Sequence, residues 1–449
     1  MLHISKLTRC LVGLALLGIV ILTGCQPQAA EPPSEPTTVS TEPTSMPEPT
    51  TLSVWWISSS PEYADTVTDI LATYMAENPN ITVETTFFSY SDYVAAMGPA
   101  LESGNPPDLA FSDPFPPTLP NYIDAGHVME LSDVASDRGW ADLLAPGMLE
   151  FYSPVHRGGI YGPPLNPALR GFFYNKQIME EIGGQVPETI ADLEALAASA
   201  KDAGYVPFGL GNQTFWSSEY YWLNMFYQNL AGGDWEAFKE GVMTCTPGVS
   251  WSGPEITEAL ERFVQWEQAG YFNEGYNGIG ETDVHLEFAR GNMLTYYYNA
   301  ASQNTALLGD ELDFEVGFFN FPLMAAGDPN LEMTDPGNVL IVPTGSAHPT
   351  EAIDLIDWLL QPAVGQMFAE AGIVPAHRVD LSGVELPVPW MAEELNSLAE
   401  QIPYNWLNWS VPGLGDVTGP EVQRLLAGEI TVQEAVDSFQ ETYDEACGG

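Results

Sequence analysis

The chain has 449 residues, 61 acidic against 12 basic side chains, a formal charge of −49, 45% hydrophobic residues, 37 Pro, 41 Gly and 4 Cys. The apolar content is too high for a disordered acidic chain, and at about 150 residues per domain the length points to two or three domains with ample chain for a large core. The acidity excludes nucleic acid as a partner and electrostatic docking on an anionic membrane, since both need basic patches.

Lys6 and Arg9 precede the apolar run Leu11 to Leu22, which has the length of a secretory signal and is short for a membrane span. Leu22-Thr23-Gly24-Cys25 follows and resembles the lipobox of bacterial lipoproteins. That resemblance implies a signal peptide over 1–24 and a diacylglycerol anchor on Cys25; the alternative is an ordinary secretory signal with a chance cysteine. Residues 25–50 are rich in Pro, Thr, Ser and Glu, contain no aromatic residue and read as an extended tether.

The folded part starts with the β-branched and aromatic run Thr51 to Ile57, a strand that ends in Ser58-Ser59-Ser60-Pro61. Helical spacing predicts a helix over 63–77, a strand over 81–88, a helix over 92–103 and a short buried strand at Asp108 to Phe111. This alternation favours an α/β fold with a largely parallel sheet. Short helices and turns fill 119–160. A strand over 169–174 and helices over 175–182, 189–202, 217–230 and 254–269 follow. Strands at 314–319 and 339–342 come next, and helices over 351–360, 363–371 and 432–446 complete the chain, which has no internal repeat.

Several stretches in order carry a family pattern. Tyr161-Gly162-Pro163-Pro164 is followed by Tyr174-Asn175-Lys176, then Pro187, Thr189, Leu193, Ala197 and Gly204 with Pro207-Phe208. Phe288 to Met293 comes next, then Gly337 to Val342, Gly372 and Pro375. Leu426-Ala427-Gly428 with Thr431, Glu434 and Ala435 closes the series. Together they resemble the family 1 extracellular solute-binding proteins of ABC importers, the maltose-binding-protein-like group. The resemblance implies a two-lobed periplasmic-binding-protein fold (type II), each lobe a mostly parallel sheet flanked by helices, with the ligand cleft between the lobes. It places 51–168 and a return segment 295–338 in the first lobe, and 169–294 with 339–449 in the second. The expected protein is a monomer that captures a carbohydrate and delivers it to the transmembrane subunits of a permease with a separate ATPase.

Sugars present C–H faces to aromatic rings and hydroxyls to carboxylates, amides and hydroxyls. By that chemistry and the family's placement, the expected ligand residues are Trp56, Ser58, Ser59, Asp113, Asn212, Trp216, Tyr298, Asn299, Gly337, Asn338 and Trp406. Trp55 and Trp56 face opposite ways in a strand, so at most one reaches the cleft and both could be core. Asp113 could instead cap a helix or turn, and Trp409 competes with Trp406. Tyr296 to Tyr298 resembles the tyrosines of ferric-iron binders, and the acidity would suit a polyamine, so a non-sugar solute stays open.

No Gly-x-x-x-x-Gly-Lys-Ser/Thr, Gly-x-Ser-x-Gly or His-Glu-x-x-His is present, so no ATPase, serine-hydrolase elbow, cofactor or metal site is expected. A secreted glycan hydrolase is the reading from another class, because two carboxylates suffice for it. Cys245 and Cys447 are an even pair in an exported chain, which suggests a disulfide over two free thiols. Removing the first fifty residues, with four Glu, Lys6 and Arg9, moves the charge only to −47, so the acidity belongs to the folded part.

Overall fold

Residues 49–448 are described by a computed structural model, apart from 59–60, 115–117, 154–155, 300–311, 329–333, 336, 399–406 and 412. Cys25, Ser59 and Trp406 therefore lie outside the described residues. Strand β1 (Thr50–Ile57) alternates, with Leu52, Val54 and Trp56 fully buried on one face. That face packs with Val67, Ile70, Leu71 and Tyr74 of the helix Pro61–Glu77. Strands β2 (Ile81–Phe88) and β3 (Leu109–Ser112) lie on either side of β1 and parallel to it. Such a crossover needs a helix between successive strands, and the helices Pro61–Glu77 and Tyr90–Ser103 supply it.

The chain then passes to a second sheet built from β4 (Ala168–Asn175), β5 (Val206–Gly209), β6 (Met293–Asn299) and β7 (Val316–Phe319), in the order β5-β6-β4-β7. Strand β8 (Thr334–Asp335) pairs with the start of β4, and β9 (Val339–Ile341) returns to the first sheet beside β3. The fold is the expected two-lobed α/β arrangement with helices around two sheets.

Two details differ from the sequence reading. The second sheet is mixed rather than mostly parallel, because β4 runs against β6, β7 and β8 and only β5 and β6 are parallel. A strand heading back to the crossing must run against the strand that left it. The return also comes later than 295: β6 and β7 belong to the second sheet, and 339–341 belongs to the first. The helix Pro349–Leu359 stays with the first sheet, since its Trp358 packs on Tyr74 and bonds Glu77. The tyrosine run, expected in the first lobe, is held in the second sheet by pairing with Phe172 and Phe173.

The two outgoing and returning segments touch backbone to backbone. Leu340 N donates to Pro163 O at 3.0 Å, Pro164 bridges Val339, and Ala168 and Leu169 pair with Asp335 and Thr334. A Cβ on Gly162 would sit 2.2 Å from Leu340 O, and one on Gly337, whose φ is +78°, 2.2 Å from Asn166 O. A third passage packs alongside, with Ala376 N donating to Leu165 O at 2.7 Å. It leads to the helix Met391–Leu398, whose Glu393 takes the amide of Phe318 on β7 at 2.7 Å. The helices Leu414–Leu426 and Val432–Ala446 finish the second lobe. There Cys245 and Cys447 are joined by a disulfide across a sequence separation of 202, with Cα atoms 5.5 Å apart.

Gly337→Ala is expected to lower the unfolding free energy by about 2–4 kcal/mol, from the left-handed backbone and the clash together. Gly248→Ala, also at positive φ but with nothing within 4 Å, should cost only about 1–2 kcal/mol. Urea unfolding of both variants measures the difference, and equal losses would show that the crossing relaxes to admit a methyl group.

Candidate functional site

In open α/β sheets ligands bind outside the carboxyl ends of the parallel strands. At that end of the first sheet the strands lead to three expected residues, Ser58, Asp113 and Asn338. The β1–β3 register ends at Trp56 with Phe111, two residues before Ser58 and Asp113. The β3–β9 register ends at Ser112 with Val339, one residue short of Asp113 and Asn338. Ser58 and Asn338 are half-buried, and Ser58 N donates to Phe88 O at 2.9 Å.

Asp113 is 8% exposed and anchored on its own lobe. Thr118 Oγ1 donates to its Oδ2 at 2.9 Å, and Tyr90 Oη to the same oxygen at 3.2 Å. Burial raises the phenols of Tyr90, Tyr93 and Tyr122 above their ordinary value, and the charge of Asp113 raises each further. A carboxylate set among three tyrosines is therefore the chemical centre of this end. None of the three tyrosines was singled out from sequence. The available signal was Tyr90 and Tyr93 directly after Phe88, at the start of the helix that follows a parallel strand. The Tyr90 ring, 48% exposed, is among the most exposed large apolar surfaces of the described residues.

Other expected residues serve the interior. Trp56 is fully buried, stacks on Phe111 at 4.6 Å and faces the core helices, so it does not line the site; strand alternation leaves half-buried Trp55, against Phe88 at 4.8 Å, on the other face. Asn212 is also fully buried. Its amide donates to Asn277 Oδ1 at 2.6 Å and its carbonyl side accepts from Ser218, so it braces a loop rather than meeting solute. Tyr298 is 6% exposed and packs edge-on against His285 at 4.4 Å, on the helix-covered face of the second sheet. Asn299 ends β6, and Gly337 forms the backbone crossing.

Trp216 opens an eight-residue π-helix, Trp216–Leu223, that continues as the helix Asn224–Ala231. Such wide turns are rare and often mark functional positions. Just before it, Phe215 takes a left-handed φ of 54°, and a Cβ on Gly419 would lie 2.3 Å from its ring. Inside the wide turn Glu219 is fully buried. Asn408 Nδ2 donates to its Oε2 at 2.7 Å, and Asn224 Nδ2 to its carbonyl at 2.8 Å. Burial raises its carboxyl to about 8, partly opposed by Thr418 and Asn408. Gln423 adds bonds to the carbonyls of Asn212 and Gln213. The 212–223 segment is thus sewn to the turn Leu407–Ser410 and the helix Leu414–Leu426.

The family profile described as bacterial extracellular solute-binding protein matches residues 58–366. The chain belongs to the bacterial extracellular solute-binding protein family. It is an exported binding protein, not an enzyme. The melibiose/raffinose/stachyose-binding protein of Bacillus subtilis is 22% identical over 400 residues, 88% of this chain and 89% of that one. A probable sugar-binding periplasmic protein of Mesorhizobium japonicum is 35% identical over 99 residues, which span 22% of this chain and only 23% of that protein's length. Among solved structures, the apo form of RafE from Streptococcus pneumoniae superposes with a TM-score of 0.74 at 20% identity, over 90% of this chain and 99% of that one. A chitin oligosaccharide binding protein gives 0.69 at 24% identity, over 88% and 99%. At these identities the likeness is one of fold.

Glu219 yields a pH test. Its folded value lies above the ordinary 4.5, so its contribution to stability is fully present below pH 4.5 and lost as pH rises through about 8. His156 and His285, held by burial at about 4, act in the opposite sense, losing their contribution as pH falls below 6.5. Glu219→Gln serves as the reference that leaves the histidines in place. Between pH 4.5 and 8 the unfolding free energy of the wild type should fall relative to this variant by a few kcal/mol. Urea titrations across that range give the difference, and a flat difference would show that Glu219 is ionised in the fold.

Proposed function

We propose that this chain is the lipid-anchored binding subunit of an ABC importer and that its solute is a neutral sugar, bound between the two lobes. The observation that carries the sugar is Asp113 among Tyr90, Tyr93 and Tyr122 at the carboxyl end of the first sheet. A carboxylate accepts from sugar hydroxyls, and the half-exposed Tyr90 ring offers a face to C–H bonds. The relatives support the same class, since one is named for melibiose, raffinose and stachyose and a related solved structure holds raffinose. Acidity of −47 over the folded part disfavours an anionic solute. Cys25 carries the anchor, and residues 26–50 hold the lobes off the membrane. Ligand contact with both lobes favours the closed form, which the permease subunits read.

Thermal melts with melibiose, raffinose, stachyose and chitin oligosaccharides test the solute. A ligand present at 100 times its Kd should add about 2.7 kcal/mol to stability. Asp113→Asn should weaken the sugar that shifts the melt by roughly 10- to 100-fold. No shift with any sugar, alongside a shift with spermidine or ferric ion, would overturn the reading.

A further inference from the structure

Strands β3 and β9 pair through Ala110 with Ile341, Phe111 with Leu340 and Ser112 with Val339, and there the ladder stops. Carried on, the same register would set Asp113 opposite Asn338 and Pro114 opposite Gly337. Pro114 has no N–H, so it cannot donate to a continuing ladder. Each of the two carbonyls at that step is taken instead by a buried ring. Tyr152 Oη donates to Gly337 O at 2.9 Å. His156 Nε2 lies 2.9 Å from Pro114 O, and because a carbonyl only accepts, Nε2 carries the hydrogen.

The two rings act from one short turn. His156 N donates to Tyr152 O at 2.9 Å, their ring centroids are 5.6 Å apart, and the residues are 3% and 2% exposed. Tyr152 is packed in the same apolar cluster as Ile57, Tyr93, Val339 and Ile341, beneath the end of the sheet. Arg157, the next residue, clamps Asp124 through two nitrogens, Nε at 2.9 Å and Nη2 at 2.6 Å. Arg157 therefore fixes the residue after His156 to its own lobe.

We propose that Tyr152 and His156 form a wedge that positions Asp113 and Asn338 for the solute, by taking the two register-matched carbonyls at which β3 and β9 would otherwise go on converging. The wedge holds the strands apart at the step where the carboxylate faces the amide, and so sets the spacing of the polar groups a ligand meets. Both are positioning residues, and neither is required to touch the ligand. The role of Asp113 rests on the sugar-site reading given above, whereas the end of the β3–β9 ladder does not.

The test compares Tyr152→Phe, His156→Leu and His156→Gln in the full chain. Glutamine keeps an N–H that can reach the Pro114 carbonyl, and leucine does not. Without ligand, hydrogen exchange over residues 110–113 and 337–341 should be slower in the Phe and Leu variants than in wild type, because the freed carbonyls let the strands go on pairing, and should return to the wild-type rate in the Gln variant. Affinity for raffinose and stachyose should fall about tenfold in the Phe and Leu variants and stay within about twofold in the Gln variant. Affinity and exchange are read well below the melting transition of each variant, which separates positioning from folding. Equal exchange in the Gln and Leu variants, or exchange in Tyr152→Phe equal to wild type, would overturn the wedge. If the wild type binds neither sugar, the solute assignment falls, while the exchange comparison still decides the wedge.

Discussion

The structure depends on one contact without side chains, the antiparallel crossing of residues 162–169 and 334–341. Gly162 lies against the Leu340 carbonyl and Gly337 against that of Asn166, each where a single methyl group would collide. Glycine is needed at these points for close approach, and at Gly337 also for its left-handed backbone. Once the two segments are in register, the directions of the other strands follow. β4 must leave the crossing, β8 must return to it, and β9 must enter the first sheet antiparallel to β3. That last pairing carries β9 along β3 as far as Ser112 with Val339, next to Asp113 and Asn338.

Charge is handled differently inside and outside. Arg138, Arg157, Lys176, Arg262, Arg290 and Arg424 each face a carboxylate, mostly in exposed pairs that contribute little individually. The large acidic surplus is left on the surface, where water and salt screen it. Inside, the bonds from Thr418 and Asn408 do not offset the burial of Glu219, which stays protonated. A neutral Glu219 can then sit in the wide turn after Trp216 and join three separate segments through Asn408 and the neighbouring amides. Buried polar groups of this kind are costly when half satisfied, so they also restrict which packings the second lobe can adopt.

The failures of sequence reading have a common cause. Local pattern identifies a strand at 51–57, but alternation alone does not say which face is covered. Trp56 proved to be core because the helix Pro61–Glu77 lies over its face. Tyr298 is covered in the same way by His285. Asn212 looked like a ligand amide and is instead the centre of a loop brace, a role set by Asn277 and Ser218, which lie elsewhere in the chain or on the next turn. The assignment of 295–338 to the first lobe failed because the direction of a return strand is a property of pairing. No residue between 293 and 341 announces whether its hydrogen bonds go to β4 or to β3.

The sequence by itself determined the class of protein and the order of its elements. Those follow from periodicity, from Gly and Pro placement and from motifs in series, all of which are local. It also located the acidity, since counting shows that the charge stays with the folded part. Only the tertiary structure decided which carboxylate stands among tyrosines, which tryptophan is buried, and where the chain crosses between sheets. Each of these depends on residues tens to hundreds of positions apart meeting in space. Asp113 beside Tyr90, at the end where β3 lies between β1 and β9, is a consequence of strand pairing, and register is not written in any one strand.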